Sequence, residues 1–447
     1  MTTSIWWIRR DMRLEDNRAL QSAAATGSVV PLFVIDPTFA STSEARRAYM
    51  FATLQALNEA TGGVVVIRNG KPDEVLPAFA ASVGASSIHM AADFSPYGRK
   101  RDEKVRIALE QSQIELVSAD TPYAVRPGTV VKDDGTPLKV FTPFYKRWLG
   151  FLPEQRADAK VRFEDKRELS KGFPAIDSDV HRRWPIGEDA VWARWTQWSS
   201  SQLQGYNDNR NIPSIDGTSQ LSAPLRFGVL HPRQLLQHLG SSEGEDHFRR
   251  ELAWREFYAD VLFHQPETTW VNLQTKMNVL PVDTDAAAKA RFAQFCEGNT
   301  GYPIVDAGIR QMLQTGWMHN RVRMIVASFL VKDLHVPWQW GAKFFMDHLV
   351  DGDIASNNHG WQWTAGTGTD AAPFFRVFNP TSQSEKFDPT GEYLRQWIPE
   401  IADLDNSAIH APWELGLLAP PAYPAPMVDH ANERLEALSR YKSVSGK

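Results

Sequence analysis

Residues 351–363 read DGDIASNNHGWQW, a run that sets Asp351, Asp353 and the adjacent amides Asn357 and Asn358 directly ahead of Trp361, Gln362 and Trp363. The plain expectation is a polar loop entering a helix whose aromatics fill a core. Other groups join it. In HFRRELAWREFYADVLFH, Glu251, Trp254 and Tyr258 fall at i, i+3 and i+7, so a carboxyl and two aromatics share one helical face, where the carboxyl could hydrogen-bond a ligand. GIRQMLQTGWMHNRVRMIVASFLVKDL reads as one helix, with Trp317, Asn320 and Met324 on a stripe flanked by Arg321 and Arg323. An amide in such surroundings either has an internal partner or serves a ligand. DGTSQLSAPLRFG places Thr218, Ser219 and Ser222 around a turn into a helix, where hydroxyls and free N–H groups bind phosphate or act as caps. Together these groups ask for a phosphate-bearing planar cofactor held among helices.

Two kinds of element must position them. Up to about residue 120, the strand candidates SIWWIRR, VVPLFVID, GVVVIRNG, SSIHMAAD and IELVSA alternate with helical stretches such as ARRAYMFATLQALNEATG and PDEVLPAFAASVG, which predicts a parallel α/β sheet. No G-x-G-x-x-G follows the first strand, so a dinucleotide phosphate turn is not expected there. The turn carries RRDMRLEDN instead, whose Arg9, Arg10 and Arg13 read as a solvated, salt-bridged edge or as an anion or pigment pocket. From about 121 to 200 the period is lost and Pro, charge and Trp accumulate, which predicts a long linker with a few helical turns. Beyond 200 helical spacing dominates, down to a terminal helix in VDHANERLEALSRYKS. The expected fold is therefore α/β: a Rossmann-like parallel-sheet domain over residues 1–125, a linker over 126–200 and an all-α domain over 201–447. No internal repeat or low-complexity block is visible.

A chain of 447 residues with 43% hydrophobic content can bury large cores and divide into two or three domains. No stretch approaches ~18 consecutive apolar residues, and the N-terminus becomes charged too early for a signal peptide, so a cytoplasmic protein without membrane contact is expected. The single Cys296 rules out an internal disulfide, and no metal is expected. A net charge of −5 argues against a wholly basic nucleic-acid binder but leaves room for a local basic patch. Of 16 tryptophans only Trp6 and Trp7 fall in the first 120 residues. Indoles suit stacking, cation–π contact and electron transfer, so their enrichment after residue 183 favours a planar aromatic ligand.

ELAWREFY, GYPIVDAGIRQMLQTGWMHNRVRM and DGDIASNNHGWQWTAGTGTDAAPFFRVFNP resemble the flavin-binding half of the cryptochrome/photolyase family, and WWIRRDMRLEDN resembles its opening strand. Several long motifs in the right order span nearly the whole chain. The resemblance implies FAD bound in a U-shape inside the all-α domain. It also implies light-driven repair of cyclobutane pyrimidine dimers in UV-damaged DNA, by electron transfer from excited reduced FAD to a flipped-out dimer. A cryptochrome-type blue-light receptor with little or no repair activity is the alternative.

Carried over by position, Tyr206, Arg210, Thr218, Ser219, Leu221 and Ser222 would hold the cofactor on its phosphate and ribitol side, with Gln220 standing where an arginine is expected, and Arg255 would be a further cofactor contact. Asn357 would face flavin N5, Asp353 the pyrimidine edge, and Asp351 would pair with Arg323 beneath the rings. Trp361 and Trp338 match the inner and middle members of an electron relay. No tryptophan occurs from 271 to 316, so Trp340 or Tyr302 is the candidate for its outer end. Trp254 and Trp363 would wall the dimer pocket, with Glu251, Asn320 and Met324 as polar and soft contacts and Arg321, Arg376 and Lys386 toward DNA phosphates. Asn320, where 6-4 enzymes would carry a second histidine, favours the cyclobutane lesion and leaves His319 a structural role. His359 stands where glycine is usual and is expected to serve local packing. PYGRKRDEKV resembles members that bind 8-hydroxy-5-deazaflavin more than those that bind methenyltetrahydrofolate, with Arg10 and Asp102 as antenna contacts. A monomer is expected.

Overall fold

The apolar runs near the N-terminus form strands β1 (Thr2–Ile8), β2 (Gly27–Ile35), β3 (Val66–Asn69), β4 (Ala85–Ala91) and β5 (Glu115–Asp120) in a computed structural model, which describes residues 2–445 apart from 153–159, 177, 372, 374 and 375. All five are parallel, in the order β3-β2-β1-β4-β5. Helices α1 (Arg18–Ala24), α2 (Glu44–Ala60), α3 (Pro72–Val83) and α4 (Pro96–Gln111) make the crossovers that parallel pairing requires. Ile5, Trp6, Ile8, Val30 and Leu32 are fully buried, as expected of strands covered on both faces.

Of the arginines in the turn after β1, Arg9 and Arg13 are salt-bridged, as one expectation held, but Arg13 is not solvated. Arg13 is buried, its guanidinium 3.0 Å from Asp120, and Arg233 joins it by pairing with Asp16 at 3.1 Å and Asp120 at 3.0 Å. Four charges out of water persist because each is met by an opposite charge. Arg9 lies over the Trp7 ring and pairs with Asp102.

The chain falls into two compact units. The first comprises Met1–Ser201 with Ser219–Pro266, and the second Gln202–Thr218 with Glu267–Lys447. The expected linker, 126–200, therefore belongs to the first unit, where it forms α5 (Phe141–Trp148) and most of α6 (Glu188–Gln202). The second unit takes α7 (Tyr206–Asn209), and the chain returns to the first for α8 (Ser222–Phe227), α9 (Pro232–Gln237) and α10 (Glu243–His264). Helix α10 holds the segment in place. Phe144 packs on Phe257 at 5.1 Å, and buried Glu256 accepts hydrogen bonds from the backbone N–H groups of Ala124 and Val125 and from the Trp148 indole. One distant carboxylate thus fixes a stretch that has no period of its own.

The second unit continues with α11 (Ala286–Cys296), α12 (Pro303–Thr315), α13 (Asn320–Lys332), α14 (Trp338–His348), α15 (Ile354–Ala365), α16 (Pro380–Phe387), α17 (Glu392–Trp397) and α18 (His430–Ser445). The single helix expected across Trp317 is two. Gly316, at φ +70°, closes α12 in the left-handed conformation, and the His319 side chain caps α13 by accepting from Arg321 N. Trp317 lies in the turn between them, so it does not extend the Asn320–Met324 stripe. No helix among the described residues is long and apolar enough to cross a membrane.

Candidate active site

Helix α15 carries residues 354–363 of DGDIASNNHGWQW. Asp353 is its N-cap, the carboxylate accepting from Ala355 N at 3.1 Å and Ser356 N at 3.3 Å. Within a mostly buried helix, Ser356, Asn357, Gly360 and Trp363 are half-exposed. Counted from Asp353 they fall at i+3, i+4, i+7 and i+10, a single stripe. A Cβ built on Gly360 would meet nothing within 4 Å, so the stripe borders open space.

The opposite face is a polar rack. Asn358 donates through Nδ2 to Thr269 O, and Gln362 donates to Thr268 O at 2.7 Å while accepting from Leu273 N at 2.9 Å. His359 Nδ1 donates to Ala355 O at 2.8 Å, which leaves Nε2 to accept from the Thr268 hydroxyl at 3.1 Å. Burial lowers the pKa of His359 to about 4, so the ring is neutral. His359 therefore ties the helix to the segment after α10.

Asn357 bridges the two faces. Its Nδ2 donates to Ala342 O at 3.0 Å and to Asn358 Oδ1 at 2.8 Å, and among the described residues no donor reaches its Oδ1. Arg323 pairs with Asp351 at 2.9 Å and also donates to Met318 O at 2.8 Å. The Asp351 carboxylate is nearly inaccessible, and Arg323 supplies the opposite charge and hydrogen bonds that such a group needs out of water.

Trp361 packs edge-on to Phe345 at 4.9 Å, and its indole lies so close to α14 that a Cβ on Gly341 would stand 2.2 Å from its Cη2. Trp338 sits one turn before Gly341 on that helix, and its indole donates to Asn272 Oδ1 at 2.8 Å. Of the outer candidates, Tyr302 is buried with its hydroxyl on Val428 O, whereas Trp340 is half-exposed and packs 5.3 Å from Phe292.

Asn320 is exposed at the start of α13, and Met324 is half-exposed one turn on. Arg321 donates to Asn211 Oδ1 at 2.7 Å and lies over the Phe387 ring, with Lys386 beside the same ring. The structure brings these two cations to one aromatic, while exposed Arg376 lies over Phe378 instead. Arg210 lies over Tyr206 at 5.8 Å, and Thr218 is half-exposed.

In the first unit, Glu251, Trp254, Arg255 and Tyr258 are the half-exposed stripe of the central turns of α10. Trp254 stacks flat on Phe141, 3.8 Å between centroids. Arg255 donates to Pro122 O and Leu225 O. Ser222 opens α8 with a buried Oγ that finds no hydrogen-bond partner among the described residues. Before it, Leu221 is buried, its N–H donating to Ser219 Oγ at 3.4 Å, and Gln220 adopts φ +56°, the left-handed conformation that non-glycine residues seldom take. Arg101 is a half-buried residue of α4 that lies near the Trp7 ring and pairs with Asp102. Asp102 accepts from Arg9 and Arg101, whereas Arg10 donates to Arg226 O and lies over Tyr123.

Sequence reading missed Ser356, Gly360, Asn211 and Asn358. The i+3 and i+7 spacing of Ser356 and Gly360 from Asp353 was a usable signal, whereas Asn211 and Asn358 become visible only through their partners.

The chain as a whole is similar to known proteins. Residues 4–161 match a family model described as DNA photolyase, and residues 248–443 match the FAD binding domain of DNA photolyase. The chain is 36% identical over 481 residues to the deoxyribodipyrimidine photo-lyase of Escherichia coli (strain K12), covering 99% of both proteins. Among solved structures it is similar to a bacterial class III photolyase from Agrobacterium tumefaciens, with a TM-score of 0.90, 33% identity and coverage of 100% of this chain and 98% of that one. It is also similar to a Synechocystis cryptochrome, with a TM-score of 0.89, 28% identity and coverage of 98% and 99%.

Proposed function

The chain belongs to the DNA photolyase family, and from that premise we propose that it reverses cyclobutane pyrimidine dimers in UV-damaged DNA under blue light, with FAD as its cofactor. The observation that carries this reading is the half-exposed stripe of α15, where a carboxylate cap, an open amide oxygen, a bare glycine and an indole line one free face. A planar heteroaromatic fits such a face better than a compact ligand does, because Gly360 removes the side chain that would hold a ring away. FAD supplies the light absorption and the electron that is lent to the dimer and recovered.

The residues of the second unit orient, insulate and tune. Asn357 offers only its carbonyl oxygen, a neutral acceptor suited to a ring N–H, because both amide protons are already engaged. Asp353 is restrained by two backbone N–H groups and accepts further hydrogen bonds without moving. The Arg323–Asp351 pair holds a nearly neutral charge beneath, so it biases the site less than either ion alone. Trp363 gives an apolar wall for unstacked bases, and Asn320 and Met324 give an amide and a soft contact. Arg321 and Lys386 serve DNA phosphates, which position a duplex without reading its bases. Trp361 and Trp338 would feed an electron inward from Trp340. The assignments of Ser219, Leu221, Ser222, Glu251, Trp254 and Arg255 rest on the family pattern, with the orphaned Ser222 hydroxyl supporting a phosphate role. For a second chromophore we keep 8-hydroxy-5-deazaflavin, for which Asp102 would have to release one of its two arginines.

The test is reversal of a dimer-bearing oligonucleotide under blue light with the flavin fully reduced, beside affinity for irradiated and undamaged DNA. Light-dependent reversal and tighter binding to the damaged strand are expected. Neither effect, with the flavin bound and reduced, would favour the second reading, a blue-light receptor, to which the likeness to a cryptochrome points.

A further inference from the structure

Asn358 has no place in the reading above, yet it is fully buried and makes a contact that helix geometry disfavours. Side chains at i and i+1 point about 100° apart and ordinarily do not meet. Here the Asn357 amide reaches across to Asn358 Oδ1 at 2.8 Å. Both amides have a determined orientation, because each touches a backbone carbonyl, and a carbonyl only accepts. Thr269 O takes the Asn358 NH2 group, which turns Asn358 Oδ1 toward Asn357. Ala342 O and Asn358 Oδ1 then take both protons of the Asn357 NH2 group. The Asn357 oxygen is left facing the open stripe.

We propose that Asn358 is a positioning residue that holds the Asn357 amide with its carbonyl oxygen toward the cofactor, its own orientation set by the carbonyl of Thr269. Without Asn358 Oδ1 a single hydrogen bond to Ala342 O restrains Asn357, and the amide can rotate to present an N–H, the wrong partner for a ring N–H. The device extends to the segment after α10, since Thr269 is the anchor and His359 and Gln362 hold the same segment. The inference rests on the assignment of Asn357 to the flavin, and its test separates the two.

Two substitutions divide positioning from a merely structural role. Asn358→Leu and Asn358→Asp both lose the donor to Thr269 O, but the aspartate keeps an oxygen where Asn357 needs an acceptor. In the full-length holoprotein with 15N-labelled asparagine, hydrogen exchange of the Asn357 side-chain amide should speed up about tenfold in Asn358→Leu, as the loss of one hydrogen bond implies, and be largely restored in Asn358→Asp. The turnover number for repair should fall about tenfold in the leucine variant with KM for the oligonucleotide unchanged, again with partial rescue by aspartate. Equal losses in both variants, or unchanged exchange in Asn358→Leu, overturn the proposal. Asn357→Ala is the control: were it to repair normally, the role of Asn357 would fall, while the exchange rates would still decide whether Asn358 orients it.

Discussion

Gly341 and Gly360 lie on the neighbouring helices α14 and α15, and one added methyl should act on them in opposite directions. Replacing glycine by alanine inside a helix is favourable by about 0.5–1 kcal/mol, because it restricts the unfolded chain. At Gly360 the new Cβ meets nothing within 4 Å, so Gly360→Ala should show that whole gain in the apoprotein. At Gly341 it would stand 2.2 Å from Trp361 Cη2 and 2.5 Å from both Trp361 Cζ3 and Leu330 Cδ2. Carbon pairs prefer about 3.5–4.0 Å, so neighbours must retreat by more than about 1 Å. Both are core side chains, with Trp361 at 2% and Leu330 at 0% exposure. The cost belongs at the upper end of the overpacking range, about 3 kcal/mol, and the helix gain offsets about 1, leaving Gly341→Ala about 2 kcal/mol less stable than the parent. Urea unfolding of the apoproteins should therefore rank Gly360→Ala above the parent and Gly341→Ala below it. If the stripe of α15 takes the flavin, Gly360→Ala should nonetheless release FAD about tenfold more readily, a loss of about 1.4 kcal/mol, since the methyl occupies the space a ring needs. A destabilised Gly360→Ala or a neutral Gly341→Ala would refute the packing argument. A more stable Gly360→Ala that binds FAD as the parent does would refute the site.

The pH dependence of stability should carry the signature of His359. Its pKa is lowered by burial from 6.5 to about 4, so the unfolded chain binds a proton that the folded one refuses. Stability should drop by up to about 3 kcal/mol as pH falls from about 6.5 to 4, then level off, and His359→Gln should flatten that slope in urea titrations. Asp351→Ala leaves the Arg323 guanidinium without its anion, and a cost of about 2 kcal/mol to the second unit, with weaker FAD retention, is expected from unfolding and from flavin fluorescence. Arg321→Ala should weaken binding to damaged and undamaged DNA alike and reduce the salt slope of log K by about one, measurable by fluorescence anisotropy. A loss confined to damaged DNA would instead place Arg321 at the lesion.

Legibility differed between the halves of the molecule for a physical reason. Strands buried on both faces must be apolar throughout, so β1, β2 and β4 announced themselves as runs, and the parallel crossovers followed. The stretch taken for a linker is ordered from outside. Helix α5 exists because Phe141 and Phe144 meet Trp254 and Phe257, and the backbone before it is satisfied by Glu256, over 130 positions away in the chain. No local pattern carries that information. The break at Gly316 was missed for the converse reason: α12 and α13 have nearly continuous apolar spacing, and one glycine in the left-handed conformation overrides it.

At the site, residue type was legible and facing was not. Asp351, Asp353, Asn357 and Trp361 stood out because amides and indoles crowd there, and the Asp351–Arg323 pair is present in the structure. What composition could not divide is which of two adjacent asparagines works and which supports. Both are polar residues of one helix, and burial alone favours Asn358 as the one that demands an explanation. The division follows from acceptors. Asn358 is consumed at both ends, by Thr269 O and by Asn357, while Asn357 retains an oxygen with no donor among the described residues. A helix used on both faces therefore looks like an ordinary core helix until its hydrogen bonds are followed to their ends. The same accounting places His359: it sits on the rack face, where the segment around Thr268 supplies its partner, and not on the stripe, where it would fill the space that Gly360 leaves open.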